Sequence, residues 1–255
     1  LTRRCRRRST RRLRLRRVRR LTFIRRGGEV VEPLAYDWDD SLLEEVRSER
    51  RLRYRAYRPG KTAVVLGRGS KIDLEINLET VLQDGVALLR RRGGGCSVVL
   101  DTGNLIVSAA LPLPGFGGIR HAFRNISNWL ISALNRSGIP EVRQEGTSDL
   151  ALGDRKIGGA CIYRTRNLLY YSTTLLYSPQ IELVEKYLKH PPREPLYRAE
   201  RSHRDFMGSL VGLAQEADID KFANEIDDVL SKTLADLELS LARNNNRNTK
   251  HEVLT

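Results

Sequence analysis

The chain has 255 residues, of which 40% are hydrophobic and 30% are charged, so it is long enough for one large domain with a sizeable core. No stretch approaches the roughly 18 uncharged apolar residues that a membrane-spanning helix requires, so we expect no such helix. The formal net charge of +14 would ordinarily indicate a nucleic-acid partner.

The excess positive charge lies entirely at the amino terminus. Residues 1–26 contain 14 arginines and no acidic residue, and subtracting these from the 45 basic residues leaves 31, which equals the 31 acidic residues. Such a segment cannot bury enough apolar surface to offset its ordering entropy, so we predict a disordered arginine-rich tail over 1–30 and no nucleic-acid partner. An inert upstream stretch is the favoured interpretation, because the chain starts at Leu1 and its only methionine is Met207. An electrostatic arm and a targeting segment are the alternatives.

The cysteines and histidines predict neither disulfides nor a transition-metal site. Cys5, Cys96 and Cys161 form an odd, scattered set without a Cys-x-x-Cys pair. The four histidines show no metal-ligand spacing. Since no apolar segment of the kind that a secretory signal requires follows the arginines, we predict a cytoplasmic protein.

The first half of the chain predicts one helix and several strands. Apolar residues at helical spacing predict a helix over 36–51. Runs rich in β-branched residues predict strands over 62–66 and 86–89. Two further apolar runs, 98–100 and 105–107, flank an Asp-Thr-Gly-Asn sequence and predict a hairpin.

The second half predicts helices on either side of another hairpin. An apolar stripe predicts a helix over 119–134, closed by glycine and proline. The runs 156–164 and 168–177 can pair as a hairpin, and helices are expected over 181–189 and 218–242. These elements predict an α+β fold with a mixed, mainly antiparallel β-sheet flanked by helices.

Two glycine-containing segments combine features that suit a phosphate or carboxylate ligand. In Arg-Arg-Arg-Gly-Gly-Gly over 90–95, consecutive glycines let backbone N–H groups approach an anion, and the arginines supply charge-assisted hydrogen bonds. In Gly-Asp-Arg-Lys-Ile-Gly-Gly-Ala over 153–160, Lys156 can project into the space that Gly158 and Gly159 leave. Taken alone, the first is also typical of a flexible connection and the second of a solvated lysine.

Together the two segments resemble the lipoate–protein ligase family, which is grouped with the biotin–protein ligases and the lipoyl and octanoyl transferases. The similarity rests on Arg-Arg-Arg-Gly-Gly-Gly-Cys-Ser-Val-Val-Leu-Asp-Thr-Gly-Asn over 90–104, on Ser-Asp-Leu over 148–150 and on the segment 153–160. It implies a biotin/lipoate ligase-like catalytic domain, which we place at 31–243. A disordered polar tail over 244–255 would follow, without a separate carboxy-terminal accessory domain.

The resemblance implies ATP-dependent ligation in two half-reactions. ATP and the lipoate carboxylate would form lipoyl-AMP and pyrophosphate, and the amine of a specific lysine would then take the lipoyl group. ATP, Mg²⁺ and lipoate are therefore expected at the site. The expected partner is a lipoyl-domain protein, such as a 2-oxoacid dehydrogenase acyltransferase, the glycine cleavage H protein or a related lipoate-binding protein. Whether a separate accessory subunit is also needed stays open.

The resemblance also implies which residues form the site. Lys156 matches the catalytic lysine of the family, and Asp149 matches its aspartate near the nucleotide and Mg²⁺. The residues that would contact the nucleotide or the acyl-adenylate are Arg90, Gly93, Gly94, Gly95, Asp101, Gly103, Asn104, Asp149, Gly158, Gly159, Ala160 and Thr174.

The chain departs from the family pattern at positions close to these residues. Leu100 stands where the family has His before Asp, Ser148 replaces Asn, and Tyr-Ser-Thr over 171–173 replaces His-His-Gly. Arg92 stands where Ser or Thr is common. These departures concern the nucleotide contacts and the acyl specificity.

Two other functions stay open at this point. A transferase that takes octanoyl or lipoyl from an acyl carrier would hold it on a cysteine, but residues 138–155 contain none and none follows Cys161. Cys161 lies on a predicted strand and Cys96 is expected to point into packing, where thiols are commonly inert. A non-catalytic binding module is the other alternative.

One basic segment has two interpretations. Residues 194–206 concentrate Arg198, Arg201, His203 and Arg204. The segment is either a solvated charged stretch or a lid that closes on the nucleotide or contacts the acidic face of a lipoyl domain.

Overall fold

A computed structural model of the chain describes residues 23–24, 30–114, 117–165, 167–214 and 218–242. Within these ranges no helix is long and apolar enough to cross a membrane.

The chain divides into two compact units, one up to residue 32 and one from residue 33 onward. In the first unit, Phe23–Ile24 (β1) pairs antiparallel with Val30–Val31 (β2). The other residues of the predicted tail over 1–30 lie outside the described residues, and so does the predicted polar tail over 244–255.

The second unit alternates strands with helices along the chain. In chain order they are Leu34–Ala35 (β3), Asp40–Glu49 (α1), Arg53–Tyr57 (β4), Ala63–Leu66 (β5), Ile72–Glu75 (α2), Leu78–Gln83 (α3), Ala87–Arg90 (β6), Val98–Leu100 (β7), Asn104–Pro112 (β8), Ile119–Arg136 (α4), Arg143–Glu145 (β9), Asp149–Leu152 (β10), Arg155–Arg164 (β11), Leu168–Leu176 (β12), Ile181–Tyr187 (α5), His203–Phe206 (α6) and Ile219–Lys232 (α7). A 3-10 turn over Leu196–Arg198 lies between α5 and α6.

The larger sheet has six antiparallel strands in the order β4-β8-β12-β11-β10-β9. The predicted hairpin of 156–164 with 168–177 is confirmed, since β11 pairs with β12 from Gly158 opposite Leu175 to Arg164 opposite Leu169. A tight turn at Gly153, which has a φ of 57°, joins β10 to β11. Only glycine adopts such a positive φ without strain.

The smaller sheet is mixed, with the order β3-β6-β5-β7. Strand β6 is parallel to β3 and to β5, whereas β7 is antiparallel to β5. The predicted hairpin between 98–100 and 105–107 is therefore wrong, because β7 joins this sheet and β8 lies in the larger one. The corner at 101–104 carries the chain from one sheet to the other.

The main hydrophobic core lies between the larger sheet and helices α4 and α7. Strands β8 and β12 contribute alternate residues to it, as expected of strands with one face on a core. Its fully buried members include Leu105, Val107, Ala109, Ile126, Leu130, Leu134, Leu169, Tyr171, Phe222 and Ile226. Helix α1 and the smaller sheet pack on the opposite face. The predicted α+β fold with a mixed, mainly antiparallel sheet flanked by helices is confirmed.

The helix predicted over 218–242 is interrupted at Thr233. Helix α7 ends at Lys232, and a second helical stretch covers 234–242. The Thr233 hydroxyl donates to the Val229 carbonyl at 2.8 Å and accepts from the Trp129 indole N–H at 2.9 Å. A threonine that bonds back to the preceding turn weakens helix continuity, which accounts for the break at this residue.

Candidate active site

A cavity of about 1010 Å³ opens beside the hairpin of β10 and β11. Strands β11 and β12, the segment between β6 and β7, the first turn of α4 and the segment after α5 contribute to its lining. Basic side chains dominate the charged part of this lining: Arg68, Arg91, Arg92, Arg120, Arg124, Lys156, Arg193 and Arg198. The carboxylates in the lining are fewer: Asp39, Asp40, Asp149 and Glu194. The cavity therefore suits an anionic ligand.

Lys156 and Asp149 form an ion pair in this cavity. The Lys156 Nζ lies 2.8 Å from Asp149 Oδ1, and their side chains are 28% and 11% exposed. The Tyr197 hydroxyl donates to the other carboxylate oxygen at 3.0 Å. Burial, followed by the negative charge of Asp149, raises the pKa of Tyr197 well above its usual range, so this hydroxyl stays a donor. The pair thus holds the ammonium in one position while leaving part of it exposed to the cavity.

The register of β10 and β11 explains how Lys156 reaches Asp149. Asp149 lies opposite Gly159 in the strand pair. The register shifts between Leu150 and Ala151, and this shift brings Lys156 alongside Asp149. A Cβ at Gly159 would lie 3.0 Å from Lys156 Cε and 3.1 Å from its Nζ. The glycine predicted to clear space for the lysine is therefore in contact with it.

The glycine segment after β6 is held by its neighbours. The Arg91 Nη2 donates to the carbonyls of Gly94 at 2.8 Å and Cys96 at 2.7 Å. A Cβ at Gly67 would lie 1.9 Å from the Gly95 carbonyl oxygen, so only glycine fits there. The buried carboxylate of Glu75 accepts from the Ser97 backbone N–H at 2.6 Å. A segment that could be a flexible connection on its sequence alone is anchored at both ends.

The residues predicted from the resemblance fall into two groups. One group lines the cavity: Gly94, Gly95, Asp149, Lys156, Gly159, Ala160 and Thr174. The other group is not part of this lining: Arg90, Gly93, Asp101, Gly103, Asn104 and Gly158.

Residues of the second group support the cavity from behind. Arg90 donates to the carbonyls of Gly67 at 2.9 Å and Ser70 at 3.0 Å, whereas its neighbour Arg91 lines the cavity. Gly93 packs on β11, because a Cβ there would lie 2.7 Å from Cys161 Sγ. A Cβ at Gly158 would lie 2.9 Å from the Thr174 carbonyl oxygen.

The Asp-Thr-Gly-Asn corner is a buried network of hydrogen bonds. Asp101 Oδ1 accepts from the Gly103 N–H at 2.7 Å, and Oδ2 accepts from the Gln180 N–H at 3.0 Å. Asn104 Oδ1 accepts from the Asp101 N–H at 2.9 Å. In the structure these side chains therefore bind the backbone where the two sheets meet.

One arginine of the basic segment points into the cavity. Arg198 is 4% exposed and stacks on the Phe206 ring at 4.8 Å. Its Nε donates to the Arg201 carbonyl at 3.0 Å and lies 3.2 Å from Glu194 Oε2, with which it forms an ion pair. Its Nη2 is buried and has no hydrogen-bond partner within the described ranges. Burial lowers the pKa of Arg198, yet a guanidinium remains protonated at neutral pH. A buried cation with an unused donor is suited to an anionic ligand.

The other two arginines of the segment form ion pairs with neighbouring elements, and His203 lines the cavity. Arg201 pairs with Asp154 at 3.0 Å, and Arg204 pairs with Glu182 at 3.0 Å. Sequence reasoning placed Arg198 in this group but could not single it out. Its position next to the aromatic Phe206 side chain is visible only in the tertiary structure.

The two described thiols are not activated. Burial is the largest influence on both, and it raises the pKa of Cys161 and of Cys96 above the usual value. A thiol with a raised pKa is protonated at neutral pH and is a poor nucleophile.

The predicted Mg²⁺ ligand, Asp149, has both carboxylate oxygens engaged, one by Lys156 and one by Tyr197. Among the described residues no group of three or more His, Cys, Asp or Glu could hold a metal ion. The side chains in place therefore do not form a preassembled Mg²⁺ site.

The sequence of the second unit matches a known family. The profile of the lipoyl protein ligase A/B catalytic domain matches residues 33–231. The chain belongs to this family. The match includes both glycine segments and the segment with Arg198, and it confirms the family that the motifs resemble.

Individual members of the family are distant relatives. A lipoate-protein ligase of Bacillus subtilis is 28% identical over 136 residues, which are 53% of this chain and 40% of that protein. A protein of Mycoplasma genitalium described as a probable lipoate-protein ligase A is 29% identical over 150 residues, which are 59% of this chain and 44% of that protein. The chain spans about half the length of the curated relatives that it matches.

Solved structures share the fold. A bipartite lipoate protein ligase of Thermoplasma acidophilum, studied with its E2 lipoyl domain, has a TM-score of 0.64 at 21% identity and covers 83% of this chain and 89% of its own. A lipoate-protein ligase A bound with ATP has a TM-score of 0.63 at 21% identity, covering 79% of this chain and 85% of that one.

The departures from the family pattern lie in different surroundings. Leu100 is buried in the smaller sheet and also lines the cavity, and Ser148 lines it as well. Tyr171 faces the core, where its hydroxyl lies 3.2 Å from the Ser127 hydroxyl. Ser172, the next residue, faces the cavity.

Proposed function

We propose that this chain is an ATP-dependent lipoate–protein ligase. The observation that carries the proposal is the ion pair of Lys156 with Asp149 at 2.8 Å, which holds a partly exposed ammonium in a cavity beside the glycine segment. A protein of this family with bound ATP and the same fold supports ATP as one substrate.

The reaction would proceed in two balanced steps. A lipoate carboxylate oxygen attacks the α-phosphorus of ATP, the bond to the β-phosphate oxygen breaks, and pyrophosphate leaves. The uncharged amine of the acceptor lysine then attacks the carbonyl carbon of lipoyl-AMP, the C–O bond to AMP breaks, and the amine loses a proton. An amide and AMP are the products.

Both steps develop negative charge close to the same carbonyl and phosphoryl oxygens. Lys156 would stabilise this charge in each step, because Asp149 and Tyr197 hold its ammonium in place before the reaction begins. The backbone N–H groups of Gly94 and Gly95, two residues that line the cavity, would act as further donors. Arg198, whose Nη2 has no hydrogen-bond partner in the part of the chain that the structure describes, would bind the phosphates that leave as pyrophosphate.

The small residues of β11 would flank the acyl chain. Gly159 and Ala160 line the cavity next to Lys156, and Phe123, Ile162 and Leu176 add apolar surface to it. Apolar contacts of this kind bind a hydrocarbon chain without contributing to the chemical step.

The proposed reaction also needs Mg²⁺ and an acceptor protein. Because the described residues form no preassembled metal site, Mg²⁺ would be held mainly by the phosphates of ATP and by water. A lipoyl domain is the proposed acceptor, in line with the E2 lipoyl domain studied with the Thermoplasma acidophilum ligase. That ligase is described as bipartite, which keeps a separate accessory subunit open. A cytoplasmic location stays a prediction.

A cysteine-dependent acyl transferase is the second candidate. It needs a thiolate to carry the acyl group, and burial raises the pKa of both Cys96 and Cys161. Cys161 also packs directly under Gly93. The thiols therefore favour the ATP-dependent reaction over a thioester intermediate.

Mass spectrometry of an apo lipoyl domain tests the proposal. The purified chain is incubated with the apo domain and either ATP and lipoate or an octanoyl-acyl carrier alone. We expect a lipoyl mass increase that requires ATP. An increase that requires only the acyl carrier would establish the transferase, and the absence of both ATP–pyrophosphate exchange and any mass increase would refute catalysis by this chain.

A further inference from the structure

Three lining residues of the cavity, Tyr36, Asp39 and Tyr170, belong to a buried polar cluster. Asp39 is 3% exposed, and its Oδ2 accepts from the hydroxyls of Tyr170 at 2.5 Å, Tyr57 at 3.0 Å and Ser108 at 3.0 Å. The Tyr36 hydroxyl lies 2.9 Å from that of Tyr57. Burial and then the negative charge of Asp39 raise the pKa of Tyr170, so this hydroxyl is a donor at neutral pH.

The other oxygen of this carboxylate is unused. Asp39 Oδ1 is buried and finds no hydrogen-bond partner among the described residues, although three hydroxyls converge on Oδ2. With three hydroxyl donors on Oδ2, Oδ1 is left as the acceptor of this buried group that no described donor uses. Leaving the second oxygen of such a group unpaired is costly, and a ligand that donates a hydrogen bond would remove this cost.

The cluster lies in line with Lys156 along one face of β12. Thr174, Ser172 and Tyr170 alternate along this face and all line the cavity, and Thr174 lies opposite Gly159, which contacts Lys156. Since a strand rises about 3.3 Å per residue, the face from Thr174 to Tyr170 is about 13 Å long. A medium-chain acid with its carboxylate at Lys156 would point its far end at the Asp39 cluster.

We propose that the cavity selects medium-chain carboxylic acids that carry a hydrogen-bond donor at the end far from the carboxylate, and that Asp39 Oδ1 accepts that bond. The inference rests on the proposed function, because it takes the acyl group to bind beside Lys156. Octanoate ends in a methyl group, and the oxidised ring of lipoate offers only sulfur acceptors. Reduced lipoate offers two S–H donors, and ω-hydroxyoctanoate offers a stronger O–H donor.

Acids that differ only at the far end test the proposal. Calorimetry without ATP measures binding of octanoate, ω-methoxyoctanoate and ω-hydroxyoctanoate to the full chain, and ATP–pyrophosphate exchange measures kcat/KM for the same acids. We expect both the affinity and kcat/KM for ω-hydroxyoctanoate to exceed those for the other two acids at least tenfold, because only this acid donates a hydrogen bond to the unpaired buried acceptor. Reduced lipoate should likewise bind more tightly, and give a higher kcat/KM, than oxidised lipoate.

The variant Asp39→Asn tests whether Asp39 is the group that binds the far end of the acid. The amide oxygen can keep the three hydroxyl donors, while its NH₂ replaces the free acceptor by a donor. The preference for ω-hydroxy over ω-methoxy should then fall at least tenfold. Asp84→Asn is the matched control, because Asp84 also accepts from a tyrosine, Tyr187 at 2.7 Å, but does not line the cavity.

The outcomes separate this inference from the proposed function. Equal kcat/KM for the three acids, or a preference for ω-methoxyoctanoate, would overturn the inference while leaving ligation intact. Selective binding of the ω-hydroxy acid without any exchange activity would support the inference and refute the ligase. The wild-type comparison is decisive even if Asp39→Asn fails to fold.

Discussion

Removing the Lys156 side chain should slow both half-reactions. In Lys156→Ala, the ammonium that lies 2.8 Å from Asp149 is lost, and with it the positioned charge for the phosphoryl and carbonyl oxygens. Loss of one positioned donor of this kind costs about 10²–10³ in rate, or about 2.7–4 kcal/mol. We therefore expect a decrease of at least about 10² in ATP–pyrophosphate exchange and in transfer from presynthesised lipoyl-AMP.

The fold should tolerate the change. Lys156 is 28% exposed but Asp149 only 11%, so breaking the pair should cost about 1–3 kcal/mol of unfolding free energy, while the Tyr197 hydroxyl still donates to Asp149. Lys156→Arg should not restore activity, because its planar group is larger than the space next to Gly159, where a Cβ would already lie 3.1 Å from Nζ.

Two comparisons make the result decisive. Lys189→Ala is the control, because Lys189 donates to the Asp73 carbonyl at 2.8 Å on the surface and should leave both rates unchanged. Gly159→Ala should give an intermediate loss, since the new methyl group displaces the lysine side chain. Near-normal rates of Lys156→Ala in both assays would remove Lys156 from the active site and refute the reasoning.

Three further changes test other parts of the site. Cys96→Ser combined with Cys161→Ser should stay active, because burial raises the pKa of both thiols. For the same reason, peptide mapping after treatment of the wild type with iodoacetamide at pH 7 should show slow alkylation of Cys96 and Cys161. An acyl-enzyme adduct on either residue in mass spectra would contradict this. Arg198→Met should slow ATP–pyrophosphate exchange at least tenfold but leave transfer from presynthesised lipoyl-AMP nearly unchanged, since the buried Nη2 is proposed to bind the leaving phosphates. Equal losses in both assays would show that Arg198 contacts the acyl-adenylate instead of the leaving phosphates. Burial lowers the pKa of His203 below 6.5, so the unfolded chain binds more protons at this residue than the folded chain does. The stability that the neutral His203 contributes is therefore lost as the pH falls below about 6.5. Urea titrations of His203→Gln should show a smaller loss of stability between pH 6.5 and 5 than the wild type, and an unchanged pH dependence would contradict this role of His203.

Local patterns in the sequence determined much of the fold. The apolar stripe of α4 and the paired runs of β11 and β12 are visible in the order of residues, because helix and hairpin contacts join residues close in the chain. The two glycine segments likewise indicate the family without any coordinates, since glycine and lysine have to stand at definite spacings for the loop and the ammonium to meet.

The tertiary structure decided which of several similar residues faces the cavity. Arg91 lines it while Arg90 binds backbone carbonyls, and Arg198 alone among the cations of its segment has a buried donor without a partner in the described chain. Strands β7 and β8 look like a hairpin in sequence, but they join different sheets because each finds its partners elsewhere in the chain.

The Asp39 cluster is the clearest case of what the sequence alone does not reveal. Its hydrogen bonds join Asp39 to Ser108, 69 residues away, and to Tyr170, 131 residues away. No local spacing relates these residues, because the register of the central strands β8 and β12 and the packing of α1 bring them together. A polar residue at the start of a helix is ordinarily a surface residue, whereas Asp39 is buried and lines the cavity, which only the tertiary structure shows.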